Sequence, residues 1–434
     1  MLKDRLQYYS LPQASLPTII AVGITELRGI HHAANKKSGS RCHVGLTLEA
    51  VDIILAAATK ACAAQTVPEI LAVGIDRKFA YEDGQRVTLE GGHDEIIFYE
   101  VTDPAKPVRI GSLPLENSIV GPPTNIAITP DQQLALVANS LHSEAVPGGG
   151  WKTTPSDQLF VVDLAARPPQ LISTIKVGRQ PSGVSISRTG TLALVANRDS
   201  KSITVLAING REVVVKDTVD MTDTVGAVAI APDGRRAVAT KTFAHKAALL
   251  AIDDTGKLRV ERELWTGLFP WNVAITPDGR LALVNNAGNA GLPDGNMDTV
   301  SVIDLSAAEP HVIGQVPVGD SPEGITIRPQ GDLAAVTLLN GGYDSHDARW
   351  YWREAGRVAL LRIDGKNVTL PDSAAVGSFP EAIAFSQDGK FIYAGNFHSN
   401  SISILGISPG GSLKDTGTRI ELPGPPASLR IGSR

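Results

Sequence analysis

PEAIAFSQDGKFIYAGNFHSNSISILGI (residues 380–407) holds three short runs in which large apolar residues alternate with small or polar ones, separated by the turns SQDG and NFHSN. Alternation with period 2 marks strands that bury at least one face of a pleated surface. The same succession begins PTNIAITPD at Pro123, PSGVSISRTG at Pro181, VGAVAIAPDG at Val225, PWNVAITPDG at Pro270 and PEGITIRPQG at Pro322, and a truncated copy, PASLRI, begins at Pro426. Successive starts lie 58, 44, 45, 52, 58 and 46 residues apart. Four short strands and their turns need about that many residues, which is the period of a propeller blade.

The repeat defines an all-β fold, a seven-bladed β-propeller of four-stranded blades over residues 67–434. The last copy stops after its first strand, near Ser428, whereas the first strand of the repeat region, at residues 70–74, reads as a second strand. The two ends should therefore complete one blade together and leave no open sheet edge. Between the paired apolar residues of each first strand stands a small one: Ala127, Ser185, Ala229, Ala274, Thr326, Ala384 and, in this reading, Ser428. An innermost strand crowded around a central axis would demand that. The residues closing second strands, Asn139, Asn197, Asn286 and Asn396, read as structural, bonding to their own backbone.

Composition agrees with this turn-rich architecture, since the chain carries 42 Gly and 28 Pro against 3 Met among 434 residues. That profile excludes a helical bundle. The net charge of −5, with no run of four Lys or Arg, excludes a phosphate-binding stripe for nucleic acid. Residues 1–66 read as a leader outside the propeller: Lys36, Lys37 and Arg41 precede the apolar stretch 44–65, which ends in Ala61-Cys62-Ala63, the form of an export signal and its cleavage site. Glu49 and Asp52 within that stretch oppose the reading and support a short amphipathic helix instead. The stretch is too short and charged to span a membrane. Cys42 and Cys62 are the only cysteines, so the body from residue 67 has none, in keeping with a periplasmic or secreted protein.

Chemistry should gather where blades share a surface, at the connections into the first strands and from second to third strands. Four of the latter are long, at about 76–94, 140–156, 287–298 and 340–355, and long loops on one face of a rigid scaffold carry function. His93, His142, His245, His346 and His398 all fall in such connections. Were they to converge, they would bind a divalent metal or, as His346 and His398, serve as general acid and base. Asp94, Glu144, Asp344 and Asp347 are carboxylates placed to orient or ligate. The alternative is that histidines favour loops and the loops splay apart. Glu323 and Glu381 follow Pro322 and Pro380, with Trp271 in the equivalent place, making a carboxylate pair beside an aromatic ring at the channel mouth. The loop GGYDSHDARWYWREAG (341–356) concentrates Tyr343, Trp350, Trp352, Arg349 and Arg353 in a chain that is only 5% aromatic. It reads as a stacking platform, a partner contact or a self-packed cover. There is no Gly-x-Ser-x-Gly elbow, P-loop, dinucleotide fingerprint or Cys-x-x-Cys.

LALVANRDSKSITVLAING (192–210), FIYAGNFHSNSISILGI (391–407) and the Val-Gly-x-x-Pro entries VGRQPSG, VGDSPEG and VGSFPEA resemble the YVTN-type seven-bladed propellers, neighbours of the lactonase propellers that include 6-phosphogluconolactonase-like and carboxymuconate-cyclase-like proteins. The resemblance covers residues 67–434 and implies lactone hydrolysis or a related isomerisation on a small molecule; the loops of this chain offer a histidine or a histidine-bound metal to activate water, and Arg349 or Arg353 with loop amides to stabilise the developing oxyanion. Its motifs specify the fold, and none places that group's catalytic residues on this chain. The second reading is a non-catalytic platform for a protein or glycan partner.

Overall fold

The computed structural model describes residues 69–82, 85–118, 120–289, 291–341 and 350–432. The leader with its cysteines lies outside these residues, as do Tyr343, Asp344, His346, Asp347 and Arg349. Among the described residues there are thirty strands and no helix. Twenty-eight strands form seven antiparallel four-stranded sheets, and the remaining two, Phe79–Glu82 and Gln85–Thr88, pair as a hairpin. Six blades are consecutive in sequence, with innermost strands Ile126–Ile128, Pro181–Ile186, Val225–Ile230, Pro270–Ile275, Pro322–Ile327 and Pro380–Phe385, here blades 2 to 7. Blade 1 is shared: Pro426–Ile431 is its innermost strand and pairs with Glu69–Ile75, followed by Glu95–Val101 and Val108–Pro114. The ring closes as the repeat register requires.

The small residues of the innermost strands do not relieve crowding at the axis alone. Ala127 packs with Leu136 of its own blade and with Val184 and Ile186 of the next, and Ala227 and Ala229 pack in the same way with Val273 and Ile275. Each blade thus offers small residues to one neighbour and branched residues to the other, and the sheets interdigitate at the density of an organic crystal. Fully buried residues such as Leu194, Val238 and Ile303 occupy these interfaces, each contributing about 1.5–3 kcal/mol. The register also corrects the last member of that column. Arg430 pairs with Ala72 at the rung where Ser185 pairs with Leu194 and Ala384 with Tyr393, so Arg430, not Ser428, holds the slot that is small in the other six blades.

Blade entries are fixed by a recurrent side-chain contact. Asn197 Nδ2 donates to Ser202 Oγ (3.2 Å) and Thr204 Oγ1 (3.0 Å), and Asn286 and Asn396 make the same bonds to Thr299 and Ser301 and to Ser401 and Ser403. These asparagines tie second strands to third strands rather than capping their own backbone. Gly178, Gly267 and Gly377 lie against them, and a Cβ at each would come within 2.6–2.7 Å of the asparagine Cγ. That approach explains the glycine in VGRQPSG and VGSFPEA, whereas in VGDSPEG the glycine, Gly319, lies against Leu338. Gly267→Ala should lower the free energy of unfolding by about 1–3 kcal/mol through overpacking. In urea denaturation, the further change Asn286→Ala should then cost less than it does alone, because the two residues clash with each other.

Candidate functional site

The mouth of the channel is built from two rings of residues that the repeat brings together. The innermost strands of blades 3 to 7 each shift register just after the entry residue, as between Pro270 and Val273, Pro322 and Ile325, and Pro380 and Ile383. A bulge leaves a residue unpaired and re-aims its side chain. The residues so released are Ser182, Gly226, Trp271, Glu323 and Glu381, with Thr124 and Ala427 as counterparts in blades 2 and 1. Before the entry prolines stand Gln180, Phe269, Ser321 and Phe379, all left-handed with φ of 53–57°, a conformation that costs a non-glycine residue about 1 kcal/mol or more. Their carbonyls accept from Arg198 N (2.9 Å), Ala287 N (3.0 Å), Leu339 N (3.1 Å) and Phe397 N (2.8 Å), the residues just past the second strands. Those residues form the second ring.

Across this mouth a polar cluster joins blades 3, 5, 6 and 7. The Arg198 guanidinium lies 4.8 Å from the centroid of the Trp271 ring, which stacks on Phe269 at 5.4 Å and 20°. The Trp271 indole N–H donates to Glu323 Oε2. Asn285 Nδ2 fixes the Glu323 backbone by donating to its carbonyl (3.0 Å), and Thr337 Oγ1 does so for Glu381 (2.8 Å). Both glutamates are buried. Arg198 Nε and Nη1 are buried without a hydrogen-bond partner, and the same holds for Thr124 Oγ1 in the first ring and Thr242 Oγ1 in the second. Buried polar atoms in this state are satisfied by water or by a ligand.

Burial decides the protonation of the pair. Desolvation pushes Glu323 up to about 8, against the Trp271 hydrogen bond and the Arg198 charge, which both favour its anion. Desolvation raises Glu381 well above the ordinary range, and the charge of Glu323 raises it further. With Arg198 acting on Glu323 and not on Glu381, the two coupled carboxylates separate into a group that keeps its proton and a group that gives it up more readily. Arg198 is drawn down to about 10 by burial and stays charged at neutral pH.

The other half of the mouth is apolar. Phe79, Leu141, Leu339, Phe379, Phe397 and Ala427, from four blades, pack as one cluster, so several second-to-third connections do converge. His398 sits here, stacked on Phe379 at 4.6 Å and 26° and 5.5 Å from the Tyr81 ring. The other histidines take separate partners: His142 Nδ1 lies 2.6 Å from Glu116 Oε2, His245 Nδ1 accepts from Phe269 N at 3.0 Å, and His93 is exposed beside Glu90. Among the described residues no three His, Cys, Asp or Glu side chains come together as metal ligands. Asp94 is packed in blade 1 with fully buried Lys78, whose Nζ donates to it and to the Asn117 carbonyl and lies 3.1 Å from Asp76. Burial and then Asp76 push Asp94 up to about 6 against the Lys78 charge. Glu144 accepts from Thr154 Oγ1 (2.8 Å) on an exposed hairpin. Trp350 is 77% exposed, Trp352 is half-buried, and Arg353 donates to the carbonyls of both.

No family model matches the sequence, and no curated protein matches it. Solved structures do match. A putative 6-phosphogluconolactonase from Bacteroides fragilis superposes with a TM-score of 0.62 at 15% identity, over 85% of this chain and 99% of that one. Its fold is that of the lactonase-like propellers. A second putative 6-phosphogluconolactonase, from Bacteroides uniformis, gives 0.64 at 14% identity over 84% and 100% of the two chains. The periplasmic gluconolactonase of Pseudomonas aeruginosa gives 0.59 at 20% over 84% and 98%. At these identities the likeness is one of architecture, and the site rests on the residues themselves.

Sequence reading reached Glu323, Glu381 and Trp271 but passed over Arg198, which stands in a column otherwise filled by Asp76, Ser140, Thr242, Ala287, Leu339 and Phe397. A cation unique to its repeat position was the available signal. The raised Glu323 sets a pH dependence with a definite sign. A folded value of about 8 against an ordinary 4.5 means that the folded chain holds this proton more tightly. The stabilisation is complete below the ordinary value and is lost as pH rises through about 8. Chemical denaturation of Glu323→Gln should therefore show a flatter decline than the parent chain between pH 5 and 8.5, and a gain of about 1–3 kcal/mol over it at the upper end.

Proposed function

We propose that this chain is an exported propeller that binds a small polyhydroxylated molecule at the channel mouth and opens or rearranges a lactone there. The observation that carries the reading is the buried Glu323–Glu381 pair facing a guanidinium with two unpartnered nitrogens. In hydrolysis, the Glu323 carboxylate takes a proton from water as the hydroxyl oxygen bonds to the lactone carbonyl carbon. Arg198 Nε and Nη1 stabilise the oxygen on which charge develops. The ring C–O bond then breaks, and the leaving alkoxide takes the Glu381 proton. Transfer of the proton from Glu323 to Glu381 restores the starting state. Trp271 holds Glu323 and offers its ring face to the sugar. The neighbours described as lactonases support the substrate class, and the neighbour described as periplasmic supports export, together with the basic residues and Ala-x-Ala pattern of the leader.

A second reading is supported by a separate observation. Phe243, Trp265, Leu268, Met297 and Trp350 are all exposed on connections at the mouth-side ends of blades 4 to 6, with Trp265 70% and Trp350 77% exposed. Exposed apolar residues grouped on one face mark a binding platform for a protein or glycan. The readings separate by mutation. With gluconolactone or its 6-phosphate, Glu323→Gln and Glu381→Gln should each lose about 10²- to 10⁴-fold in kcat/KM, and the parent rate should rise with pH toward 8. Trp350→Ala with Trp352→Ala should leave turnover intact. Turnover indistinguishable from the Glu323→Gln/Glu381→Gln double variant would overturn the lactone reading.

A further inference from the structure

The end of the channel away from the mouth holds a second feature that the lactone reading does not use. Here the innermost strands and the turns that follow them enclose a cavity of 370 Å³. Its wall presents polar and apolar surface in about equal measure, the apolar part coming from Ile128, Ile186, Ile230, Ile275, Ile327 and Phe385. Its rim is a ring of turn prolines, Pro130, Pro232, Pro277 and Pro329, interrupted by Arg188 and Gln387 at the equivalent positions of blades 3 and 7. No aspartate or glutamate lines it. The turn carboxylates nearby are held in their own turns, as Thr276 Oγ1 donates to Asp278 (2.6 Å) and Ser386 Oγ to Asp388 (2.6 Å).

Into this cavity comes Arg430, the one large side chain in a repeat slot that is alanine, serine or threonine in the other blades. No hydrogen bond or ion pair joins its side chain to any described residue, and its exposed surface lies on the cavity. Arg188, also exposed and without an acidic partner among the described residues, stands at the rim of the same space. A guanidinium with no acid beside it is free to take an anion, and its fork matches a planar carboxylate with two parallel hydrogen bonds. The volume lies near the lower end of small-molecule pockets.

We propose that the lower channel binds a small organic carboxylate, with its apolar body among the isoleucines and its carboxylate on Arg430, drawn in past Arg188. The cavity reaches Thr124 of the entry ring, but Arg430 lies toward the other end of the innermost strands and neither Glu323 nor Glu381 lines it, so the proposal stands or falls independently of the lactone reading.

The test is calorimetric titration of the full chain with hexanoate and benzoate, with hexanol and inorganic phosphate as controls for the apolar body and the charge alone. Both carboxylates should bind, hexanol and phosphate at least 10-fold more weakly. Arg430→Gln should weaken hexanoate at least 10-fold. Arg430→Lys, which retains charge but not the fork, should fall between, and Arg188→Gln should weaken it a few-fold. Glu323→Gln should leave the affinity unchanged. Should Arg430→Gln fail to fold, Arg430→Lys and the hexanol comparison still decide. Absence of carboxylate binding at millimolar concentration, equal binding of hexanol, or parent-like affinity in folded Arg430→Gln or Arg430→Lys would overturn the proposal.

Discussion

Closure of seven sheets around one axis is the constraint from which the rest follows. Each sheet must meet two neighbours, and it does so with small residues on one side and branched residues on the other, as Ala127 meets Val184 and Ile186. The arrangement repeats around the ring only if every innermost strand keeps one register, and closure requires Pro426–Ile431 to pair with Glu69–Ile75 in that same register. A residue in any one slot therefore has counterparts in the other blades around the axis. Repetition makes rings, and departures from repetition make chemistry: glutamates and a tryptophan in an entry ring that elsewhere holds Thr124, Ser182, Gly226 and Ala427, and an arginine in a ring of small residues.

Electrostatics at the two ends of the channel follows from the same geometry. At the mouth the glutamates are buried and their charge is poorly hydrated, whereas Arg430 toward the other end is exposed on the channel. At the mouth, Glu323 receives the Trp271 N–H and the field of Arg198, while Glu381 retains its proton. At the far end, Arg430 lines a cavity with no acid beside it. The first arrangement is a pair of groups with separated proton affinities. The second is a cation awaiting a partner that the described residues do not supply.

The architecture was legible because it is written several times, and a repeated pattern averages out local ambiguity. Glu323, Glu381 and Trp271 were legible for the opposite reason, since they break a column. Arg430 breaks one too, but the last copy is truncated, and counting Ser428 into the small column hid it by two residues. Only the rung with Ala72 fixes that register. Arg198 lay behind an asparagine read as a cap. The histidines show the limit of counting: His142 lies within the strand Leu134–Ala145, which extends through the span read as a loop, and residence in a connection says nothing of direction. His142 turned to Glu116, His245 to the Phe269 amide and His398 to the face of Phe379.

The shared blade also fixes the order in which the chain can be finished. Blades 2 to 7 are each contiguous in sequence and can assemble as they emerge, from local hairpins of low contact order. Glu69–Ile75 cannot be flanked on both sides until residues 426–431 exist, because its inner partner lies more than three hundred and fifty positions away. Until then the nascent ring presents an unpaired strand edge, the feature most prone to pairing with another chain. The last strand made is the one that ends this exposure, so the ring is locked only as the C-terminal repeat arrives.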